Sequence, residues 1–185
     1  MALPLMQKKS FVRSGEGSVA SYSWSDIASG IGYVDFYALA KGGVDGSMIL
    51  VTKPVDNGAA YVTFTAAEEQ TMTASAFSTP RTVGGVGYCS LACYNTGSTA
   101  VGWTLTIQKE SGGVTTDISA ATATDNTAAS TGEFVLYTPI TITETNFKIG
   151  DILKIKIVAG GNLRLHALGT GGKYVYFAIP FKIDL

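Results

Sequence analysis

Short runs of alternating apolar and polar residues occupy most of the chain from Trp24 onward. The clearest run is 151–159, in which Leu and Ile occupy every second position and two of the positions between them are Lys. A period of two is typical of a β-strand with one buried face and one wet face. This pattern predicts a protein built from half-buried strands.

Eight further segments show the same alternation or a short apolar run bounded by turn residues: 32–40, 47–53, 59–66, 87–94, 101–109, 133–143, 163–168 and 174–183. The segment 133–143 is expected to bend at Pro139, and 110–132 to form a hairpin edge followed by an exposed loop. The best helical candidates, 25–29 and 65–71, are too short to be stable alone. We therefore expect an all-β chain, an antiparallel jelly-roll-like β-sandwich of about 8–10 strands.

The first 23 residues lack this alternation and are expected to form an extended N-terminal arm, while residues 24–185 form the sandwich domain. A basic cluster of Lys8, Lys9 and Arg13 lies in this segment, and no acid precedes Glu16. Such a segment is either a disordered tail or an arm that docks on a partner. In a secretory signal, positively charged residues precede an apolar stretch, and this segment has the reverse order. No stretch of the chain is apolar over a length that approaches a membrane span. We expect a chain made in the cytoplasm, with no membrane partner.

Composition narrows the class further. The 185 residues are 46% hydrophobic but only 15% charged, and they include 22 threonines and 15 serines. Scarce Lys and Glu together with abundant Thr disfavour a helical bundle and a charge-rich disordered chain. A formal net charge of −1 lacks the positive excess of nucleic-acid-binding proteins.

Two cysteines, Cys89 and Cys93, are four residues apart in a predicted strand. At about 3.3 Å per residue their Cα atoms are roughly 13 Å apart, too far for a disulfide. A zinc site would need further ligands, and the only histidine is about 70 residues further along. The sequence predicts two buried thiols and no metal site.

Candidate catalytic residues are few. His166 is the only possible histidine base, and its alternation with apolar neighbours predicts an exposed strand histidine. Asp35 and Glu133 are the only acids within or at the edge of predicted strands, where a solvated face explains both. No nucleophile elbow, phosphate-binding loop or dinucleotide motif is present. The sequence predicts no catalytic residue and no cofactor, and hence a protein that is not an enzyme.

Seven tyrosines fall opposite the predicted core positions: Tyr33, Tyr37, Tyr61, Tyr88, Tyr94, Tyr174 and Tyr176. Tyrosine is enriched where proteins meet, and it also stacks on sugars. A subunit or partner interface, an ordinary sheet surface and a glycan platform are three interpretations of these positions.

Three stretches together resemble a known family. They are WSDIASGIGYVDFY at 24–37, TIQKESGGVTTDI at 106–118 and FKIGDILKIKI at 147–157. Their order is similar to that in small virion structural proteins of tailed bacteriophages, especially jelly-roll proteins that decorate or cement the capsid. Such proteins carry no catalytic residues.

This resemblance implies a non-enzymatic virion structural protein that binds and stabilises an assembled shell. The implied partners are the major capsid protein or other virion proteins and further copies of this chain in a homotrimer, without nucleic acid, membrane or small-molecule substrate. The implied location is the capsid surface of the virion. Lys8, Lys9 and Arg13 are the candidate capsid-contact residues of the arm.

Two other functions suit the same fold. One is a receptor- or glycan-binding module of a phage tail or fibre, for which removal of residues 1–23 would leave binding intact. The other is a small hydrolase on a jelly roll, for which Asp35 and Glu133 are the residues to replace.

Overall fold

The computed structural model describes residues 9–11, 20–22, 31–40, 48–54, 61–166 and 174–182. Two short strands, β1 (Lys9–Phe11) and β2 (Ala20–Tyr22), pair antiparallel within the segment predicted to be an extended arm. This part of the segment therefore forms a strand pair. Lys8 and Arg13 lie outside the described residues, and Lys9 is described by its backbone only. The boundary between residues 23 and 24 stays a prediction.

The other strands form one mixed sheet of twelve. They are β3 (Ile31–Ala40), β4 (Met48–Val51), β5 (Tyr61–Phe64), β6 (Glu69–Thr73), β7 (Arg81–Asn95), β8 (Trp103–Ser111), β9 (Val114–Asp117), β10 (Thr122–Ala123), β11 (Gly132–Phe147), β12 (Ile152–Ala159), β13 (Leu163–His166) and β14 (Tyr176–Lys182). The all-β prediction is confirmed, although the sheet has more strands than expected. The described residues include no helix long and apolar enough to cross a membrane.

The strand order is β10-β8-β12-β6-β4-β3-β14-β7-β13-β5, with β9 beside β8 and β11 beside β7. Neighbouring strands are antiparallel except β4 and β6, which meet in parallel at Ile49 and Thr73. The prediction of a wholly antiparallel sheet is therefore wrong at this one contact. Strand β7 is central, because β11 pairs along it while β14 and β13 pair with successive parts of it.

The sheet curls so that distant parts of the strand order face each other. Phe64 on β5, at one end of the order, meets Trp103 on β8, near the other end, with ring centroids 4.8 Å apart. The backbone N–H of Thr143 on β11 also donates a hydrogen bond to the carbonyl oxygen of Ile118, which follows β9 (2.8 Å). An apolar core is enclosed between the facing parts of the sheet.

The core follows the alternation in the sequence. In β12 every second residue from Leu153 to Ala159 is apolar and buried, and the lysines between them are only partly exposed on the other face. Each large apolar side chain buried in this way contributes about 1.5–3 kcal/mol. The largest fully buried side chains are Trp103, Phe64, Phe147, Phe177, Met72, Leu91, Leu105, Ile107, Ile140, Leu153, Ile155 and Ile157.

Strand β11 is irregular at a different place from the one predicted. It stays paired with β7 through Pro139, which lies opposite Tyr88, and its register shifts between Ile142 and Thr145. The extra length brings the backbone of Glu144 against β7, where a Cβ atom on Gly84 would lie 2.7 Å from the Glu144 Cα. The bulge therefore requires glycine at position 84.

Candidate binding sites

The two cysteines are buried on the core side of β7 and form no disulfide. Burial raises the pKa of Cys89 to about 12 and that of Cys93 to about 11. The prediction of two buried thiols is confirmed. Because the thiolate is the nucleophilic form, neither cysteine is activated for covalent chemistry at neutral pH.

His166 lies at the end of β13, and the prediction of an exposed histidine is wrong, since only 3% of the residue is accessible. Alternation places it on the same side of β13 as the exposed Arg164. Its Nε2 atom lies 3.8 Å from Oε1 of Glu133, which reaches it from β11. Exposure at this position is set by segments that are distant in sequence, and local alternation carries no information about them.

The two acids of the hydrolase hypothesis are far apart. Asp35 on β3 lies opposite Ala178 on β14, and Ala178 lies opposite Tyr88 on β7. On the other side of β7, Tyr88 lies opposite Pro139 on β11. Glu133 lies six residues before Pro139 on β11, which is a distance of roughly 20 Å at 3.3 Å per residue. Paired carboxylates of a glycosidase stand within about 10 Å. The structure does not bring these two residues together.

No group of three or more His, Cys, Asp or Glu side chains comes together as a metal site within the described ranges. The most strongly perturbed acid, Asp151, lies in the tight turn between β11 and β12. Its carboxylate lies 2.8 Å from the Lys109 ammonium and accepts a hydrogen bond from the backbone N–H of Lys148 (2.7 Å). The hydrogen bonds from Lys109, Ser111 and this N–H lower the pKa of Asp151 well below its usual range. These contacts hold the turn closed.

This pKa shift predicts a pH-dependent stability. A carboxyl group whose pKa is lowered by folding stabilises the protein above its unfolded pKa and loses that contribution as pH falls toward the folded value. The free energy of unfolding should therefore fall between about pH 5 and about pH 2, and Asp151→Asn should flatten this dependence while lowering stability at pH 7. Urea unfolding at several pH values measures both effects.

The exposed Asp125→Asn is the matched control and should leave the pH profile unchanged. A parallel shift of the whole Asp151→Asn curve, with the same slope as the parent, would contradict the assignment.

A cleft of about 370 Å³ opens between β3, β4, β14 and the segment before β7. It is called the phenylalanine cleft below. Its lining residues are Val34, Phe36, Leu50, Val51, Thr52, Ser75, Ala76, Phe77, Ser78, Thr79, Arg81, Phe181 and Lys182.

Aromatic side chains from separate segments form the apolar side of the phenylalanine cleft. The half-buried Phe77 ring stands 5.9 Å from that of Phe181 and 5.0 Å from the buried Phe147 ring, centroid to centroid. Phe36 on β3 lies 6.5 Å from Phe181. The backbone of Phe77 is fixed by two hydrogen bonds with the turn between β11 and β12. Its N–H donates to the carbonyl oxygen of Asp151, and its carbonyl oxygen accepts from the N–H of Gly150. The cleft wall is therefore formed before any ligand arrives.

Two cations stand at the rim of the phenylalanine cleft. Lys182 is paired with Glu144 at 2.5 Å, whereas Arg81 is exposed and has no ion pair within the described part of the chain. An uncompensated guanidinium beside an apolar wall suits a ligand with an apolar group and a carboxylate or phosphate. Serine and threonine hydroxyls on the remaining side offer further hydrogen bonds.

The sequence gives no signal for the phenylalanine cleft. Its residues come from four stretches of the chain, and one of them, 75–79, belongs to no strand and has no alternation. The pairing of β3 with β4 and β14 brings three of them together, and the hydrogen bonds of Phe77 with the turn between β11 and β12 add the fourth.

The tyrosine prediction is tested at six positions, since the side chain of Tyr61 is not described. The sides of β3, β7 and β14 that face away from the core carry Tyr33, Tyr37, Tyr88, Tyr94 and Tyr176, and Tyr174 precedes β14 on the same side. Tyr88 is 52% exposed, and Tyr137 on the neighbouring β11 is 66% exposed. The outward placement is confirmed, whereas a role as a subunit interface stays a prediction.

Comparison with known proteins points away from a virion role. No family model and no curated protein matches the chain. Solved hydrolase structures share its fold: an aminopeptidase from a marine sediment Thaumarchaeota archaeon (TM-score 0.63, 10% identity) and a CocE/NonD family hydrolase from Staphylococcus aureus (0.62, 12%). An α-amino acid ester hydrolase is also similar (0.55, 10%). The matches cover 83%, 92% and 81% of this chain but only 37%, 40% and 35% of those proteins.

These neighbours contradict two of the sequence-based predictions. The expected non-enzymatic role in a virion and the expectation that the protein is not an enzyme are both overturned by a fold shared with hydrolases. The physical reason is that a curled β sheet serves unrelated functions, so resemblance of short β segments does not identify one. The homotrimer and the virion location depended on that role and stay untested.

Proposed function

We propose that this chain is the β domain of a hydrolase of ester or peptide bonds, in which the phenylalanine cleft recognises part of the substrate. The observation that carries the proposal is the match of three hydrolases to over four fifths of this chain. Two of them are an aminopeptidase and an α-amino acid ester hydrolase. The activities of these two neighbours support ester or peptide bonds as the bonds cleaved.

The share of each hydrolase that this chain matches supports a separation of substrate binding from catalysis. The matched region makes up 35–40% of each hydrolase, so the rest of each protein lies outside it. In this chain the two thiols are buried and protonated, and the only histidine is buried beside Glu133. We therefore assign the nucleophile and the general base to polypeptide beyond this domain, and substrate binding to the domain itself.

The phenylalanine cleft favours a particular substrate class. Its aromatic wall suits an apolar side chain, and Arg81 at the rim suits a negatively charged end such as a peptide carboxylate. Because Arg81 is exposed, its contribution to affinity is screened by water and stays modest.

The test is binding of 3-phenylpropanoate compared with its uncharged analogue 3-phenylpropanamide, followed by NMR. We expect the acid to bind roughly three- to tenfold more tightly than the amide, and Arg81→Gln to remove that difference. Arg164→Gln is the matched control, since Arg164 is an exposed arginine on β13 away from the cleft. Equal binding of acid and amide to the parent would contradict recognition by Arg81.

An ester assay tests whether the catalytic groups lie outside this domain. The chain alone should not accelerate hydrolysis of alanine 4-nitrophenyl ester above buffer. Turnover above buffer by this chain, whether or not it survives Cys89→Ser and Cys93→Ser, would place an active site within this chain and overturn the assignment of the catalytic groups to another region.

A finer description of the fold belongs with this proposal. We infer that the curled sheet is a jelly roll, because strand β3 lies beside the last strand β14, and long antiparallel pairs such as β7–β11 and β8–β12 make up both facing parts. A crystal structure tests this arrangement directly.

A further inference from the structure

Tyrosines surround Asp35 on the face of the sheet opposite the phenylalanine cleft. Tyr33 and Tyr37 flank it two residues away on the same side of β3. Tyr176 lies directly opposite Tyr37 on β14, with ring centroids 6.1 Å apart. From β7, the Tyr88 ring stands 6.2 Å from that of Tyr33. Tyr33 and Tyr37 therefore stand on either side of one carboxylate, and each is paired with a further ring.

The position between Asp35 and Tyr88 carries a small side chain. Ala178 lies opposite Asp35 on β14 and separates it from Tyr88 on β7. Tyr33 and Tyr37 are four residues apart, about 13 Å along an extended strand. The small side chain of Ala178 among these rings makes a trough, called the tyrosine trough below and formed by Tyr33, Asp35, Tyr37, Tyr88, Tyr176 and Ala178.

The walls of the tyrosine trough are held in place. The Tyr33 hydroxyl donates a hydrogen bond to the Val86 carbonyl oxygen on β7 (3.1 Å), so its ring is held across β14. Tyr37 contacts Tyr174 edge-on as well as Tyr176, at 5.9 Å and 6.1 Å. Rings fixed by such contacts lose little conformational freedom when a ligand binds.

Asp35 has no cationic partner among the residues that the structure describes. Burial by its neighbours raises the pKa of its carboxyl group, and burial together with the charge of Asp35 raises the pKa of Tyr37. A carboxylate that is partly desolvated and unpaired is stabilised by any cation placed beside it.

We propose that the tyrosine trough binds an alkylammonium group, with the positive charge beside Asp35 and the attached carbons against the tyrosine rings. A cation is attracted both by the carboxylate and by the faces of aromatic rings, whereas an anion is repelled by both. The site is independent of the proposed hydrolase function, because it uses the opposite side of β3.

The test is binding of choline compared with 3,3-dimethylbutan-1-ol, which has the same shape without the charge. Titration of the full chain, followed by shifts of the backbone amide signals of β3, β7 and β14, measures both affinities. We expect choline to bind roughly tenfold more tightly than the alcohol, from one exposed ion pair and one or two cation–π contacts. n-Butylammonium should bind in the same place.

Two variants separate the contributions. Asp35→Asn keeps the shape of an exposed side chain and should remove the preference for choline over the alcohol, and Tyr88→Leu should weaken choline binding several-fold. The exposed Asp125→Asn is the matched control and should bind choline like the parent. Urea unfolding of each variant shows that it is folded.

Three results would overturn the proposal: equal affinity for choline and the alcohol, an unchanged preference in Asp35→Asn, or shifts confined to strands other than β3, β7 and β14. None of them bears on recognition of 3-phenylpropanoate by Arg81, so the two sites are tested separately.

Discussion

Replacement of Trp103 by alanine is expected to lower the free energy of unfolding by about 3–5 kcal/mol, the usual cost of removing a buried tryptophan. Trp103 is 2% exposed and packs edge-on against Phe64 at 4.8 Å. Its loss leaves a cavity where the two ends of the strand order meet. Urea unfolding followed by circular dichroism measures the change.

Two variants calibrate this result. Trp103→Phe retains an aromatic ring against Phe64 and should lose less stability than the alanine variant. Tyr137→Ala removes a large side chain that is 66% exposed and should change stability by less than about 0.5 kcal/mol. If Trp103→Ala stayed within 1 kcal/mol of the parent, on the order of a surface substitution, the curled arrangement of the sheet would be wrong.

Gly84→Ala is the second substitution with a large expected effect. The added Cβ would lie 2.7 Å from the Cα of Glu144, a backbone atom that moves only if the whole bulge of β11 moves. Forcing an extra methyl group into such a site costs about 1–3 kcal/mol. The loss should be visible in urea unfolding and as faster hydrogen exchange of the β11 amides near the bulge.

Gly132→Ala is the matched control for this experiment. It lies at the other end of the same β7–β11 pair, and its added Cβ would have no neighbour closer than 3.8 Å. It should leave both the stability and the exchange rates close to those of the parent. Equal losses in the two variants would show that any side chain on this pair is harmful, and that the bulge is not the cause.

The sequence predicts β12 well and β6 badly for one physical reason. In β12 every inward position is apolar, so the alternation is visible without knowledge of the fold. In β6 one of the two buried positions is Gln70, and the neighbouring glutamates favour a helix locally. Pairing with β12, in which Gln70 lies opposite Ile157, outweighs that weak local preference.

The sites depend on contacts that alternation does not encode. Alternation gives the correct side for the outward tyrosines and for His166, because side-chain direction is a local property of a strand. It does not give the burial of His166 or the position of Arg81 beside Phe77, which depend on strands far apart in sequence. The functional prediction failed for a related reason, because the chain carries no catalytic motif and only the three-dimensional comparison links it to hydrolases.

The two cysteines of β7 give the protein an internal reporter. With Cys89 1% exposed and Cys93 fully buried, a thiol reagent reaches them only when the central strand separates from its neighbours. The rate of alkylation in the absence of denaturant therefore measures how often β7 opens, and its temperature dependence distinguishes local breathing from global unfolding. Because these two thiols form no disulfide, they report on the dynamics of β7, the strand with which β11, β13 and β14 all pair.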